Sequence, residues 1–357
     1  MKVFFRKILT AVALAVLVAG ASVHSAEAAP KKEFKFAWSI YVGWMPWGWA
    51  ADHGIIKKWA DKYGIKIDVV QFNDYVESIN QYTAGGFDGV TVTNMDALSI
   101  PAVGGVDTSA IIVGDYSNGN DAIILKDKKD LADIKGQKVN LVQYSVSHYL
   151  LARALQSKGM TEPDVNVVNT SDADMISAWK TPDVTAVVTW NPMVADILTG
   201  KEAHDVFDSS KIPGEIMDIA VVNTDVLKDN PDFAKALTGA WYETLGIMES
   251  KTAEGKEARE AMAKASGTDL AGFEGQLKTT KLFTTPKEGV TFTQGDLATI
   301  MNRVRDFLFA HSLLGNGAAS ADVVGIEFAN GKILGDKGNV KFRFTDKYMK
   351  LAEQGKL

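Results

Sequence analysis

Short β-rich runs alternate with helical patterns along this chain, and the alternation occurs twice. The first set spans residues 35–114, and the second set spans residues 122–198. Strands that alternate with helices of about ten residues predict βαβ units and a mostly parallel sheet. A returning strand is predicted at 217–223, and the chain is mostly helical from Pro231 onward. The pattern therefore predicts two α/β lobes, with the C-terminal helices packed on the first lobe.

Residues 1–28 have the pattern of a secretory signal peptide. A positively charged start precedes an apolar stretch over 8–20, and Ala26-Glu27-Ala28 has small residues at the positions that flank a cleavage site. We therefore expect an exported, periplasmic protein. The sequence contains no cysteine, so disulfides and a lipid anchor on a mature cysteine are excluded. A core must hold the fold together, and a mature chain of about 330 residues is long enough to build one in two lobes.

The charge and the motif content argue against several functions. Removing three positive residues and Glu27 changes the formal charge of −6 to −8, which disfavours nucleic acid and anionic lipid as partners. The histidines are scattered and lack metal-ligand spacing, and no G-x-S-x-G, P-loop or H-E-x-x-H motif is present. We therefore predict no metal, no cofactor and no catalytic residue, and a binding protein rather than an enzyme.

Aromatic residues are concentrated in one segment, 39–49. Trp44, Trp47 and Trp49 are three of the eight tryptophans of the chain and fall within six residues. The segment follows the first predicted strand, and its two glycines and one proline predict a loop ahead of a helix at 49–63. Ligands of open α/β sheets bind at the carboxyl ends of strands, and pockets favour aromatic walls. The alternative is that these rings wedge the loop against the helix.

Several segments together resemble one family. They are Tyr41-Val42-Gly43-Trp44-Met45-Pro46-Trp47, the run 78–89, Thr93-Asn94-Met95-Asp96-Ala97, the run 145–151 and the run 183–192. As a set they resemble the nitrate/sulfonate/taurine-type substrate-binding proteins of ABC importers, over about residues 33 to 250. Within that family they most resemble the subgroup found with urea-carboxylase-type genes, whose members are labelled urea-like or guanidine-like transport components.

The resemblance implies a type II periplasmic binding fold. Lobe 1 would comprise 29–119 and 222–357, and lobe 2 would comprise 120–221. Two crossings would join the lobes, near 116–121 and 220–223. A small solute would be held in the cleft as the lobes close. The implied partners are that solute and the permease and ATPase of the inner membrane, and we expect the binding protein itself to be a monomer.

The predicted cleft lacks the cations that an anion requires. The stretches 39–49, 94–96, 115–121 and 144–148 contain no Lys or Arg, and they hold acidic, aromatic and small polar residues instead. Aromatic faces attract cations, and carboxylates accept charge-assisted hydrogen bonds. We therefore expect a small nitrogen-rich solute, cationic or neutral, such as guanidine or urea. The candidate ligand-binding residues are Trp44, Trp47, Asn94, Asp96, Asp115, Asp121, Ser145, Ser147, His148, Trp190 and Glu215.

The candidates also have purely structural explanations. Asp96 would serve as a helix cap, Asp115 and Asp121 as parts of a hinge turn, and the two serines as caps of the following helix. His148 would pack or form hydrogen bonds, and Glu215, like Asp218 nearby, would lie in a solvated loop. Alternative functions also remain open: binding of a thiamine pyrimidine precursor or other amine, binding of a sulfonate- or nitrate-type anion, or a sensory role.

Overall fold

A computed structural model describes residues 31–357 of the chain. The signal peptide predicted for residues 1–28 lies outside the described residues. The strands are β1 (Glu33–Ser39), β2 (Lys66–Phe72), β3 (Gly89–Thr93), β4 (Thr108–Ser117), β5 (Asp121–Lys126), β6 (Lys138–Leu141), β7 (Asn166–Asn169), β8 (Ala186–Trp190), β9 (Ala203–Asp208), β10 (Met217–Asn223), β11 (Thr280–Leu282), β12 (Gly325–Glu327), β13 (Ile333–Leu334) and β14 (Val340–Phe344).

Helices fill most of the connections. They are α1 (Met45–Asp52), α2 (Ile55–Lys62), α3 (Tyr75–Thr83), α4 (Asn94–Ala97), α5 (Val146–Ser157), α6 (Asp172–Trp179), α7 (Met193–Ile197), α8 (Thr224–Asp229), α9 (Pro231–Glu249), α10 (Ala253–Ala265), α11 (Leu270–Leu277), α12 (Pro286–Thr293), α13 (Leu297–Ala310) and α14 (Lys347–Glu353). Within residues 31–357, no helix has the length and apolar character needed to cross a bilayer.

The strands form two sheets. The larger sheet has the order β13-β12-β14-β4-β10-β3-β1-β2, with β11 also paired to β4, and the smaller sheet has the order β7-β6-β8-β5-β9. In the larger sheet, β1, β2, β3, β4, β12 and β14 run in one direction, whereas β10, β11 and β13 run in the other. In the smaller sheet, only β5 opposes the rest. The predicted α/β class with mostly parallel sheets is confirmed.

The C-terminal helices pack on the larger sheet and its helices. Helix α9 packs against α1 and α2, and α12 packs against β4 and α14. In the first of these contacts the Trp241 ring of α9 stacks on the Trp47 ring of α1, with ring centroids 4.9 Å apart. A buried hydrophobic cluster joins these helices to strands of both sheets.

The segment after β1 differs from its prediction. A single 3₁₀ turn over Val42–Trp44 leads directly into α1 at Met45, so the predicted loop over 39–49 is wrong in its second half. Pro46 lies in the first turn of α1, where its missing N–H costs no hydrogen bond. The single helix predicted at 49–63 is also wrong, because Gly54 adopts φ +74° and separates α1 from α2.

The chain passes between the two sheets twice. The first crossing, at residues 118–120 between β4 and β5, falls within the predicted range. The second crossing runs through 209–216, ahead of the predicted 220–223. The difference arises because residues 217–223 form β10, which pairs with β3 on one side and β4 on the other and so belongs to the interior of the larger sheet.

Candidate functional site

A small cavity lies where edges of the two sheets meet. Its volume is about 20 Å³, room for about one water molecule and far below the roughly 300–1,000 Å³ of most ligand pockets. From the larger sheet, the cavity is lined by residues at or just after the carboxyl ends of β1, β2 and β3. From the smaller sheet, it is lined by residues after the carboxyl end of β6 and at that of β8. Strands β5 and β10 begin at the same edges because they run antiparallel to their neighbours. The lining residues are Tyr41, Trp44, Tyr75, Thr93, Asp121, Val146, Trp190, Ile216 and Asp218.

Four aromatic residues, Tyr41, Trp44, Tyr75 and Trp190, line the cavity. The Tyr75 ring lies 5.9 Å from the Trp44 ring and 5.7 Å from the Trp190 ring, measured between centroids. Trp190 belongs to the smaller sheet, and its Nε1–H donates to the carbonyl of Ile40, which follows β1 of the larger sheet. The aromatic walls therefore combine rings from both sides of the cavity.

The cavity is closed by contacts between elements attached to different sheets. Near the start of α3, the Tyr75 N–H donates to the Asp172 carboxylate at 3.2 Å. Beside it, the Ser171 hydroxyl donates to Asp74 at 2.7 Å. Both Ser171 and Asp172 belong to the start of α6 on the smaller sheet. These hydrogen bonds link elements of the two sheets on one side of the cavity.

A first buried carboxylate, Asp96, lies directly behind the aromatic walls. Its Oδ2 accepts hydrogen bonds from the hydroxyls of Tyr75 at 2.7 Å and Thr93 at 2.9 Å, and from the Val146 N–H at 3.4 Å. Its Oδ1 is buried and has no hydrogen-bond partner among residues 31–357. Thr93, rather than Asp96, is the N-cap of α4, which argues against the capping role considered for Asp96.

A second carboxyl cluster lies across β4 and β10. The Tyr41 hydroxyl and the Thr280 hydroxyl each donate to Asp115 Oδ1 at 2.8 Å. In the sheet register, Asp115 is opposite Asp218. Gly43 allows this close approach, since a Cβ there would lie 2.4 Å from the Tyr41 ring and 2.8 Å from Asp115 Oδ2.

The remaining carboxylate, Asp121, starts β5 opposite Trp190. Its Oδ2 accepts a hydrogen bond from the Ser117 hydroxyl at 2.5 Å. Ser117 lies at the end of β4 on the larger sheet, so this bond spans the first crossing. Asp121 therefore combines a place in the cavity wall with a structural role at the crossing.

Burial raises the pKa of all these carboxyls. It raises the pKa of Asp96 and Asp115 to about 6 and that of Asp121 to about 7. Burial also raises the pKa of Asp218, and the nearby charge of Asp115 raises it further. Among residues 31–357, no Lys or Arg forms an ion pair with any of the four. Acidic groups without cationic partners therefore surround the cavity.

Comparison with known proteins identifies the family. The model of the NMT1-like family matches residues 36–266 of the chain. The chain belongs to the NMT1-like family. This match does not distinguish the subgroup associated with urea-carboxylase-type genes, which the sequence resembles, from other members of the family.

Relatives and solved structures agree with the NMT1-like assignment. A Brucella abortus (strain 2308) protein, named as a candidate binding protein, is 24% identical over 232 residues, covering 63% of this chain and 69% of its own. The taurine-binding periplasmic protein of Escherichia coli (strain K12) is 23% identical over 183 residues, covering 50% and 56%. The alkanesulfonate-binding protein of Xanthomonas axonopodis pv. citri, solved bound to MOPS, has a TM-score of 0.65 at 17% identity, covering 81% and 96%. The predicted periplasmic binding protein fold is confirmed.

Some candidate residues of this NMT1-like chain lie at the cavity, and the others lie away from it. Trp44, Asp121 and Trp190 line the cavity. Asp96 and Asp115 lie one layer behind it, each hydrogen-bonded to a tyrosine of the lining. These five are brought together by the fold.

Trp47 lies in the hydrophobic core, away from the cavity. Its side chain is 1% exposed, and its ring lies 4.6 Å from the Phe36 ring, in addition to its stacking on Trp241. Because the helix begins at Met45, Trp47 faces β1 and α9. The proposed ligand contact of Trp47 therefore has no support in the geometry.

The other candidates hold structural positions. The Asn94 side chain donates to the Glu215 carbonyl and accepts from the Met217 N–H, tying α4 to the second crossing. Ser145 is the N-cap of α5 and accepts from the Ser147 N–H, as the capping alternative expects. The Ser147 hydroxyl is buried without a hydrogen-bond partner among the described residues.

Glu215 and His148 are engaged elsewhere. The Glu215 carboxylate forms ion pairs with Arg153 of α5 and Arg303 of α13, so it is a buried ion-pair centre and not a residue of a solvated loop. His148 lies against Glu162 and His311. Neither side chain lines the cavity.

Several lining residues escaped the sequence analysis, above all Tyr41, Tyr75 and Asp218. Tyr41 stood inside the aromatic segment, but only tryptophans were selected from it. Tyr75 follows the end of β2, and a position just after a strand is the signal that predicted other residues of the site. Asp218 was assigned to a solvated loop, whereas β10 places it at 4% exposure beside the cavity.

Proposed function

We propose that this protein is the periplasmic solute-binding component of an ABC importer, acting with a membrane permease and its ATPase. Family membership and the periplasmic binding protein fold support the class. The cavity between the sheets supports capture of one small solute. Because its volume of about 20 Å³ has room for only about one water molecule, the two sheets must move apart as lobes to admit and release that solute. The role is binding without chemistry, in a protein that we expect to be monomeric.

The solute is proposed to be a small planar cation rich in N–H donors, of the guanidine type, with urea as its neutral analogue. The observation that carries this proposal is the set of four buried carboxyls around the cavity, Asp96, Asp115, Asp121 and Asp218, without a cationic partner. Burying ionised carboxylates is costly unless they are paired. A bound cation supplies the missing charge, so closure around it is favoured over closure around an empty cavity.

Specific contacts follow from the positions of the side chains. Asp121 and Asp218 line the cavity and would accept N–H groups of the guest. The rings of Trp44, Tyr75 and Trp190 would offer their faces to a planar cation. Burial raises the pKa of Tyr75, so its phenol keeps its proton and continues to donate to Asp96.

An anionic guest would meet an unfavourable environment in the same place. Helices α3, α4 and α5 start in the cavity wall, at Tyr75, after Thr93 and at Val146, and helix N-termini suit anions. The Tyr75 N–H of α3 already donates to Asp172. The Val146 N–H of α5 already faces the Asp96 carboxylate, and the Ser147 N–H is taken by Ser145. A sulfonate or nitrate would lie against carboxylates with no Lys or Arg to offset the repulsion.

A thermal-shift screen of the purified mature protein tests this proposal. The panel contains guanidine, urea, biuret, methylated amines, hydroxymethylpyrimidine, taurine and nitrate, all at low millimolar concentration. A ligand present at 100 times its Kd stabilises the folded protein by about 2.7 kcal/mol. Guanidine or a close relative should give the largest increase in melting temperature. A larger increase with taurine or nitrate would refute the cation proposal, and consumption of the ligand on incubation would refute a pure binding role.

Binding of the cation is expected to release protons near pH 6. In the unliganded protein Asp96, Asp115 and Asp121 are partly protonated there, since their pKa values are raised to about 6, 6 and 7. A bound cation favours the ionised carboxylates and lowers these pKa values. Affinity should therefore rise between about pH 5 and pH 8 and then level off. Calorimetry at pH 6 in two buffers of different ionisation enthalpy measures the release, and identical binding heats in both buffers would contradict it.

A further inference from the structure

Helix α13 connects the two parts of the molecule at a place outside the cavity. Its inner face packs with the larger part of the fold, where the Asn94 amide contacts Met301 and Arg305 pairs with Asp322. Its C-terminal end reaches the smaller part, where His311 meets Glu162 in the segment after α5. A contact at this end of α13 therefore helps to hold the two parts of the molecule together.

The hydrogen bonds of His311 determine where its protons are. Its Nδ1 lies 2.7 Å from the Phe307 carbonyl oxygen, which only accepts, so Nδ1 carries a proton. Its Nε2 lies 2.6 Å from Glu162 Oε1, also an acceptor when ionised. A lone pair on Nε2 and the carboxylate oxygen would repel each other at this distance, so a proton must lie between the two atoms. His311 is therefore doubly protonated, and it forms an ion pair with Glu162.

His148 approaches the same carboxylate from α5. Its Nδ1 accepts a hydrogen bond from the Tyr144 N–H at 3.2 Å, so in the neutral ring the proton is on Nε2. That Nε2 is buried and lies 3.2 Å from Glu162 Oε1, but without the alignment of a hydrogen bond. Glu162 is thus placed between two N–H groups, one from each part of the molecule.

The same three side chains have the composition of a metal site, since their ligand atoms all lie within 4.8 Å of one another. A metal needs a free lone pair on Nε2 of both imidazoles. His311 would meet this requirement only on losing its Nε2 proton, since its Nδ1–H bond to a carbonyl is typical of a metal ligand. His148 does not, since its Nδ1 accepts from Tyr144 and its Nε2 keeps the proton. The hydrogen bonds favour a proton over a metal ion.

We propose that His311 and Glu162 form a proton-dependent clasp that holds the two parts of the molecule closed. The clasp depends on the proposed function in one respect: the two sheets must belong to lobes that move apart. It acts without any solute, because none of its residues lines the cavity.

The charges around the clasp are consistent with this role. Arg153, Arg303 and Asp306 line the same groove between α5 and α13. Both arginines are paired with Glu215 and stay charged throughout the relevant pH range. The titrating partner of Glu162 that reaches across from α13 is therefore His311.

The direction of the pH effect follows from the two pKa shifts. The hydrogen bond to Glu162 raises the pKa of His311 above its usual value. Partial burial alone would raise the pKa of Glu162, but the imidazoles of His148 and His311 beside it outweigh burial and lower that pKa to about 2. The clasp is thus fully formed below about pH 6.5 and is lost as the pH rises through the raised pKa of His311.

Fluorescence energy transfer in single molecules of the unliganded mature protein measures closure directly. The chain has no cysteine, so dyes attach only at Asn80→Cys on α3 and Ser177→Cys on α6, two exposed positions beside the closing contacts. The wild-type protein is compared with His311→Gln and Glu162→Gln between pH 6 and pH 9. His204→Gln on β9 is the matched control.

In the wild-type protein and in His204→Gln, we expect the closed-to-open ratio to fall with rising pH. The fall should exceed that in His311→Gln and Glu162→Gln by roughly two- to fivefold, the range for a partly exposed ion pair. Titration of the cavity carboxyls contributes equally to all variants and cancels in this comparison. An equal pH response in all four proteins would overturn the clasp, as would stoichiometric, chelator-reversible closure by Zn²⁺. Neither result depends on which solute the cavity binds.

Discussion

Replacing Asp121 by Asn is expected to weaken guanidinium binding by about 30-fold to about 5,000-fold and to stabilise the unliganded protein. Asp121 lines the cavity at 4% exposure, and the Ser117 hydroxyl is the donor to its side chain. Removing one partner of a buried, hydrogen-bonded charge pair costs about 2–5 kcal/mol of binding free energy. Without the guest, the same carboxylate is a buried charge with a pKa raised to about 7, so its removal relieves the folded protein at pH 8.

Calorimetry and thermal unfolding at pH 8 measure the two effects of Asp121→Asn. The matched control is Asp205→Asn, which removes one negative charge from an exposed position of β9, outside the cavity lining. The control should bind the solute with wild-type affinity. If Asp121→Asn bound guanidinium as tightly as the wild type, Asp121 would not contact the guest. If Asp121→Asn lost both affinity and stability, Asp121 would have a structural role instead.

Replacing Trp47 by Ala should lower the free energy of unfolding by about 3–5 kcal/mol, the usual loss for a large aromatic core residue. The ring is 1% exposed and lies between Phe36 of β1 and Trp241 of α9. Since none of these rings lines the cavity, the folded variant should keep its affinity within about twofold. Denaturant unfolding and calorimetry give the two quantities.

Trp44→Phe is the counterpart of that substitution, three positions earlier in the chain. Its ring lines the cavity, so a smaller aromatic face should weaken binding of a cation by roughly two- to thirtyfold, with a smaller loss of stability than Trp47→Ala. The opposite pattern, with Trp47→Ala abolishing binding and Trp44→Phe leaving it unchanged, would show that the two tryptophans have been assigned to the wrong environments.

The local pattern predicted the βαβ units but not the orientation of the aromatic segment. Alternating strands and helices depend on short-range periodicity, which the sequence carries directly. The environment of Trp47 depends on Trp241, far along the chain, and on a helix that begins at Met45. Glycine and proline predict a loop, but Pro46 is also acceptable in the first turn of a helix, and that alternative is the one found.

Acidic residues show the same division between local and distant information. Asp121 is a candidate because it is an acidic residue of the stretch 115–121, at the predicted crossing, and that position is enough to bring it to the cavity. Glu215 stood at an equally suggestive position, but Arg153 and Arg303 neutralise it from two separate helices. The pairing of Glu162 with His311 likewise joins residues 149 positions apart. No spacing rule reveals partners that only tertiary packing brings together.

The central claim, that the cavity prefers positive charge, is tested most directly by calorimetric Kd values for three planar solutes at pH 8. Guanidinium, urea and nitrate share a trigonal shape of similar size and carry charges of +1, 0 and −1. If unpaired carboxyls dominate the cavity, guanidinium binds most tightly, urea more weakly and nitrate not measurably. Tightest binding of nitrate would contradict the account and would move the protein to the anion-binding members of its fold.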